Sequence, residues 1–322
     1  MRDSICGAMG CVVLMAAATP HIVHGQGYPN KPVRIITAPT GGATDLVVRQ
    51  IAHGLTGTLN QQVIVDNRGG AAGGVAALAV AKAPADGYTL LAYSSNLWLL
   101  PFLRKDMPFA LSDFAAITML GSSPNVLVVH PSLPTQSVRD LIAFAKSRPG
   151  QLSYSSGGSG STLHLSAELF KSLAGVNILH VPYKSGGAGM LDLLGGRVEV
   201  MFPVAAAAIP HEKSGRLRLL AVTSAEPSPL VPGVPTIAAA GLPGYASELT
   251  VGLFAPAGTP PAIIERVNND VARLLKQQDT RDKFIEIGLK TVGGSPEQVM
   301  ATIKAEVIKW GKVIKEAGIR AD

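Results

Sequence analysis

The chain has 322 residues, more than one ordinary hydrophobic core serves, so two lobes of comparable size are expected. Its 47% hydrophobic and 16% charged content excludes a disordered chain, while 35 glycines, 23 prolines and only 5% aromatics suit tight strand-to-helix turns better than stacking platforms. The formal charge of +6 is scattered, with no basic run longer than two, which argues against a nucleic-acid partner and leaves weak steering of small anions.

Residues 1–26 read as a cleaved secretory leader. Arg2 gives a positive start, an apolar stretch runs over residues 5–18, and small residues precede a cleavage near Gly25 or Gln26. The stretch falls short of the roughly 20 apolar residues that a membrane span needs. Both cysteines, Cys6 and Cys11, lie within it, so the mature chain would hold no thiol, consistent with a bacterial periplasmic protein.

After the leader, strand-like runs alternate with helical periodicity. Strands are predicted at 33–37, 62–65 and 88–93, with helices at 44–59 and 75–82 between them, a βαβαβ rhythm that calls for a parallel sheet. A second series follows Pro124: strands at 126–129, 152–155, 178–181, 198–202 and 217–223, and helices at 138–147 (capped by Ser137), 162–173 and 189–194. Residues 227–243 read as Pro-rich loop and 249–255 as a further strand. Two amphipathic helices, 261–277 and 296–316, each opened by proline, complete a tail with no strands of its own, expected to return to the first lobe. The expected fold is therefore α/β with two lobes, each a mainly parallel sheet flanked by helices, and a ligand cleft between them. Residues 27–124 and 252–322 would form a discontinuous first lobe and 125–251 the second, with crossing strands near 125–130 and 248–256.

Two Gly-rich loops occupy equivalent places, each between a strand and a helix. The first is Ala38-Pro39-Thr40-Gly41-Gly42-Ala43-Thr44-Asp45; the second is Ser155-Ser156-Gly157-Gly158-Ser159-Gly160-Ser161-Thr162. Such a turn exposes backbone N–H groups at the positive end of a helix dipole, an arrangement that binds anions. Neither loop matches GxxxxGK[ST] or GxGxxG, so no nucleotide cofactor is expected, and no cofactor of any other kind is indicated. Asp45 reads either as a first-turn acid favoured by the dipole or as an acceptor for a ligand amine or hydroxyl. Arg68 is as consistent with a solvated loop as with a cleft. Ser94, Ser95 and Asn96 end a strand and are candidate pocket linings.

A catalytic site finds little support. Ser159 lacks the spacing of a nucleophile elbow, and His164 falls on a predicted helix, where packing or capping is the ordinary role. His53, His130, His164, His180 and His211 stand isolated in the sequence, without metal-ligand spacing.

Several strings together resemble the Bug-type receptors of tripartite tricarboxylate transporters. They are Tyr28-Pro29-Asn30-Lys31-Pro32-Val33-Arg34, the loop from Pro39 to Asp45, Val65-Asp66-Asn67-Arg68-Gly69-Gly70-Ala71-Ala72-Gly73-Gly74, Ala85-Asp86-Gly87-Tyr88-Thr89-Leu90-Leu91, His180-Val181-Pro182-Tyr183-Lys184, Asp192-Leu193-Leu194-Gly195-Gly196-Arg197-Val198, and Gly252-Leu253-Phe254-Ala255-Pro256-Ala257-Gly258-Thr259-Pro260. The resemblance covers nearly all of the mature chain. It implies a Venus-flytrap solute receptor without enzymatic activity, holding a small organic carboxylate through backbone amides of the two loops. Carried onto this chain, the ligand-binding positions are Thr40, Gly41, Gly42, Ala43, Thr44 and Asp45 in the first loop. In the second they are Ser156, Gly157, Gly158, Ser159, Gly160, Ser161 and Thr162, with Ser94, Ser95, Lys184 and Asp192 as further candidates. The family usually has Pro at 40 and 69, an aromatic at 250 and Glu at 239; here Thr40, Gly69, Thr250 and Ala239 stand there, so a ligand cannot be borrowed from relatives. The expected partners are the carboxylate and the integral-membrane transporter subunits that receive it, with the receptor itself a monomer. Two alternatives remain: a ligand sensor for a membrane signalling partner, and a serine hydrolase using the loop from Ser156 to Ser161.

Overall fold

The structure is a computed structural model that describes residues 27–37, 43–68, 74–104 and 107–320. Residues 1–26, expected to be a leader, and the two cysteines among them lie outside the described residues.

The chain first lays down β1 (Val33–Thr37), α1 (Ala43–Leu59), β2 (Val63–Asn67), α2 (Gly74–Ala81), β3 (Thr89–Ser94), α3 (Asn96–Leu103) and the long strand β4 (Phe114–Pro124). It then builds β5 (Val126–Val129), α4 (Val138–Ser147), β6 (Ser153–Ser156), α5 (Thr162–Ala174), β7 (Leu179–Pro182), α6 (Gly186–Leu194), β8 (Val200–Met201), α7 (Ala205–Lys213) and β9 (Arg218–Val222). The last part is β10 (Glu248–Pro256), α8 (Pro261–Leu275), α9 (Gln278–Glu286), β11 (Lys290–Gly293) and α10 (Pro296–Glu316).

These strands form two sheets, one of six strands in the order β11-β4-β10-β3-β1-β2 and one of five in the order β7-β6-β8-β5-β9. The α/β, two-lobed class is as expected, but each sheet is mixed. The βα repeats pair in parallel (β1 with β2 and β3; β6 with β7 and β8), whereas β4, β10, β11, β5 and β9 all pair antiparallel. Connectivity accounts for part of this: strands reached by a helical crossover can run parallel, while β5 and β10 enter from the other sheet and run against the strands they join. The tail differs from expectation too. It contains β11, which adds to the free edge of β4, and α10 packs on β4 and α3 and also reaches α5 beside the second sheet.

Burial follows the periodicities. On β5, Val126 and Val128 enter the cluster formed with Met190 and Leu193 of α6 and Ala205 and Ala208 of α7. Leu127 and Val129 enter the opposite cluster, with Leu141 of α4 and Leu169 and Phe170 of α5. A strand covered on both faces must be apolar at every position, and β5 is. In the first sheet, Val47, Val48, Ile51 and Leu55 of α1 and Val267, Val271 and Leu274 of α8 cover Ile35, Leu90, Leu253 and Val251.

The chain changes sheet at Asn125, the single residue between β4 and β5, and again between β9 and β10. A buried polar cluster joins the two passages. Thr223 N–H and Oγ1 donate to Asn125 O (3.0 and 2.8 Å), Ser247 N–H donates to Thr223 O (2.8 Å), and Asn125 Nδ2 donates to Ser166 Oγ (3.2 Å), which lies 2.8 Å from Ser247 Oγ.

Leu253 on β10 is fully buried between α1, α8 and the central strands. Leu253→Ala is expected to lower unfolding free energy by about 2–5 kcal/mol through lost burial and a residual cavity. Urea denaturation reads this as a lower midpoint at unchanged slope.

Candidate functional site

The second Gly-rich loop joins β6 to α5 and is shaped almost wholly by its own hydrogen bonds. Ser156 Oγ accepts from Gly158 N–H (3.2 Å), Ser161 N–H donates to Gly158 O (3.2 Å), and Ser161 Oγ donates to the same carbonyl (2.8 Å) while capping α5 by accepting from His164 N–H (3.3 Å). Gly160 N–H donates to His164 Nδ1 (3.0 Å). Three of the loop amides, at 158, 160 and 161, are thus spent internally. Among the described residues, the amides of Gly157, Ser159, Thr162 and Leu163 have no hydrogen-bond partner. The last two sit at the start of the 13-residue helix α5, where the dipole favours negative charge.

Glycine is required here for two reasons. Gly158 and Gly160 have φ of +108° and +78°, backbone states that a side chain resists. A Cβ on Gly157 would lie 3.1 Å from Gly186 N, so the loop rests directly on the start of α6. That contact places Gly186 and Gly187 beside the loop. Next to them runs an apolar groove of about 460 Å³ lined by Leu163, Met190, Leu194, Met201, Pro203 and Val204.

Of the first loop, Thr40, Gly41 and Gly42 lie outside the described residues. Ala43 and Thr44 open α1, and Thr44 is nearly buried. Asp45 is buried at 2% exposure; its Oδ1 accepts from Asn67 Nδ2 (2.8 Å) and pairs with Arg49 Nε (3.0 Å), so it ties α1 to the end of β2. Arg68 points its guanidinium at Asp66 (3.0 Å). Ser94 ends β3, and buried Ser95 stands at the N-cap position of α3 without a side-chain capping bond and donates its N–H to Thr250 O (2.9 Å), which puts Thr250 next to the serine pair. Lys184 is exposed in the turn before α6. Asp192 accepts from Tyr183 Oη and pairs with Arg197 (both 2.6 Å), which holds its carboxyl below the usual carboxylate range. Asp192 braces the β7–α6 connection.

The structure corrects the reading of isolated histidines. The parallel pairing of β6 with β7 sets His180 against His164 of α5, with ring centroids 4.0 Å apart and planes 13° from parallel, and the Tyr154 ring lies 4.9 Å from His180 and 6.3 Å from His164. Ser156 Oγ lies 2.7 Å from His180 Nε2. Glu168 Oε1 accepts from Tyr154 Oη and Lys171 Nζ, each at 2.6 Å. Burial, with His180 next to it, pushes His164 down to about 4, and burial lowers His180 as well. Sequence spacing hides this group because its members come from β6, α5 and β7; the one local signal is His164 four residues before Glu168 on one helix face. The serine–histidine contact does not make a hydrolase. Ser156 is fully buried, and no carboxylate hydrogen-bonds His180 among the described residues, so nothing presents or orients a nucleophile.

Comparison with known proteins gives a consistent outcome. The profile of the family described as "Tripartite tricarboxylate transporter family receptor" matches residues 47–319. Protein BugT of Bordetella pertussis is 37% identical over 302 residues, covering 92% of this chain and 93% of that protein. An R. palustris protein solved with adipate is 39% identical with a TM-score of 0.74, covering 92% of this chain and all of that one. A TctC solute-binding protein from Polaromonas, solved without ligand, is 27% identical with a TM-score of 0.82, covering 90% and 99%.

Two expected outcomes test this geometry. Gly157→Ala must displace the backbone of α6 and should cost about 1–3 kcal/mol, whereas Gly187→Ala, whose Cβ meets only Ser185 Oγ at 3.9 Å, should be neutral or slightly stabilising in calorimetric unfolding. For His164, the unfolded chain takes up a proton near 6.5 and the folded chain only near 4. Its stabilising contribution is therefore complete above pH 6.5 and is lost as pH falls toward 4. Melting temperatures across that window should fall more steeply for the wild type than for His164→Asn.

Proposed function

The chain belongs to the tripartite tricarboxylate transporter receptor family, and from that premise we propose that it binds a small organic carboxylate outside the cytoplasm and delivers it to the membrane subunits of such a transporter. Its relatives are solute-binding receptors, not enzymes. The observation that carries the ligand class is the loop from Gly157 to Thr162 before α5, whose amides at Gly157, Ser159 and Thr162 make no hydrogen bond among the described residues, with Lys171 and Arg320 around the cavity that Ser159 lines and Arg216 in the adjoining groove. Backbone donors at a helix start suit a carboxylate oxygen. The adjoining apolar groove suits the hydrocarbon body of an organic acid rather than a bare inorganic ion.

In this reading residues 27–124 and 252–322 act as one lobe and 125–251 as the other. The first-loop positions Thr40 to Asp45, together with Ser94 and Ser95, supply the opposite wall, with Asp45 acting through the placement of α1. Lys184 and Asp192 contribute at the rim. A ligand that touches both lobes only when they meet favours the closed form, and closure about the Asn125–Thr223–Ser247 cluster is the signal a transporter reads. Adipate and malate are present in two R. palustris relatives and are the first ligands to try.

A thermal-shift screen of mono- and dicarboxylates against uncharged analogues of equal length tests the reading. A carboxylate at ~100 times its dissociation constant should stabilise by about 2.7 kcal/mol. Gly158→Glu places an acid in the anion loop and should abolish that shift. Equal stabilisation by hexanediol and adipate, or unchanged binding by Gly158→Glu, would sink the proposal.

A further inference from the structure

The anion loop is built so that one of its amides points inward, to a ring rather than to a guest. Gly160 N–H donates to His164 Nδ1 at 3.0 Å, and this bond exists only while Nδ1 carries a lone pair. A protonated imidazole would set two N–H groups face to face. We propose that His164, acting as a neutral acceptor and backed by stacked His180, is the positioning residue that holds Gly160 inward and leaves Ser159 N–H and the first amides of α5 aimed at the ligand. The proposal rests on the reading of this loop as the carboxylate site.

The surroundings are those that keep the ring neutral. His164 is 6% exposed, and His180 of β7 lies flat against it at 4.0 Å, so a charge on one ring opposes a charge on the other. Among the described residues, Glu168, one turn along α5, is the only group nearby that would favour protonation. Its Oε1 is 3.9 Å from His164 Nε2 but already accepts from Lys171 and Tyr154 at 2.6 Å. Lys171 on the same helix and Arg320, which follows α10 and lines the same 400 Å³ cavity as Ser159, add positive charge that works against an imidazolium. The direction agrees: burial first, then His180, lowers His164. The second imidazole has a related task. His180 Nε2 meets Ser156 Oγ at 2.7 Å, and the same hydroxyl accepts from Gly158 N–H, so two of the loop's three glycine amides, at 158 and 160, are anchored by the ring pair, the first through Ser156. A basic side chain in place of His164 would attract the anion directly; a neutral ring instead fixes the geometry of donors that carry no net charge. Acidification that protonates His164 should therefore loosen the loop and release the ligand.

The test uses the full mature chain labelled with ¹⁵N at histidine and glycine, with adipate as the binding probe. Nitrogen shifts should show His164 with Nδ1 unprotonated from pH 7 to pH 5, and a protected Gly160 amide. In His164→Leu the Gly160 amide should exchange about tenfold faster, and adipate should bind about tenfold more weakly, as for loss of one hydrogen bond. His164→Asn, whose Oδ1 replaces Nδ1 as acceptor but cannot titrate, should restore both to within about threefold. Titration of His164 near the ordinary imidazole value, or a His164→Leu protein with unchanged Gly160 exchange or unchanged affinity, would overturn the assignment. Should the leucine protein not fold, the wild-type titration and the asparagine variant decide it. Failure of wild type to bind adipate counts against the ligand chosen, while the exchange and titration arms still decide the role of His164.

Discussion

The antiparallel ladder between β4 and β10 pairs all nine residues of β10, from Glu248 opposite Pro124 to Pro256 opposite Phe114, and it brings the two passages between sheets side by side. Because the chain crosses at Asn125 and again just before Glu248, both crossings emerge from the same end of one ladder. The buried contacts of Asn125 with Thr223 and Ser166, and of Ser247 with both, give this junction a defined hydrogen-bonding pattern instead of a loose linker. Buried polar groups must find partners, so this cluster tolerates few rearrangements and limits how the sheets can reorient.

The candidate site sits on the other structural theme, the β6-loop-α5 unit. Its donors are main-chain amides, whose directions are set by the fold and not by side-chain rotamers. That makes the Gly157–Gly186 approach and the two left-handed glycines part of the recognition chemistry. In the proposed reading, the helix dipole and the free N–H groups of the loop would share the charge of a bound anion. Side chains near the loop act at one remove. Ser156, Ser161 and His164 hold amides in place, and Asp192 fixes Tyr183 in the neighbouring turn. Leu163, Met201 and Val204 give the neighbouring groove its apolar surface.

Much of this was legible in the residues alone. The helices 138–147 and 296–316 and the strands 33–37 and 126–129 follow from caps, proline at the first turn and hydrophobic period, and both Gly-rich loops stand out by composition. What the periodicity did not disclose has local causes. β4 holds alanines, Gly121 and Ser122-Ser123-Pro124, a composition that gives no strand signal, and its nine partners on β10 override propensity. α3 and α7 contain Pro101 and Pro210, which argue against helix in isolation, and β11 is a four-residue edge strand with no alternation to detect.

The sequence by itself determined the family, the alternation of strands and helices and the presence of two glycine-rich turns before helices, because each of these depends on neighbours a few residues apart. Only the tertiary structure decided which amides of the second turn are already used, that Asp45 and Arg68 are engaged with Arg49, Asn67 and Asp66, and that His164 meets His180. Those facts depend on strand pairing, which brings residues 16 positions apart into van der Waals contact and which no local pattern encodes.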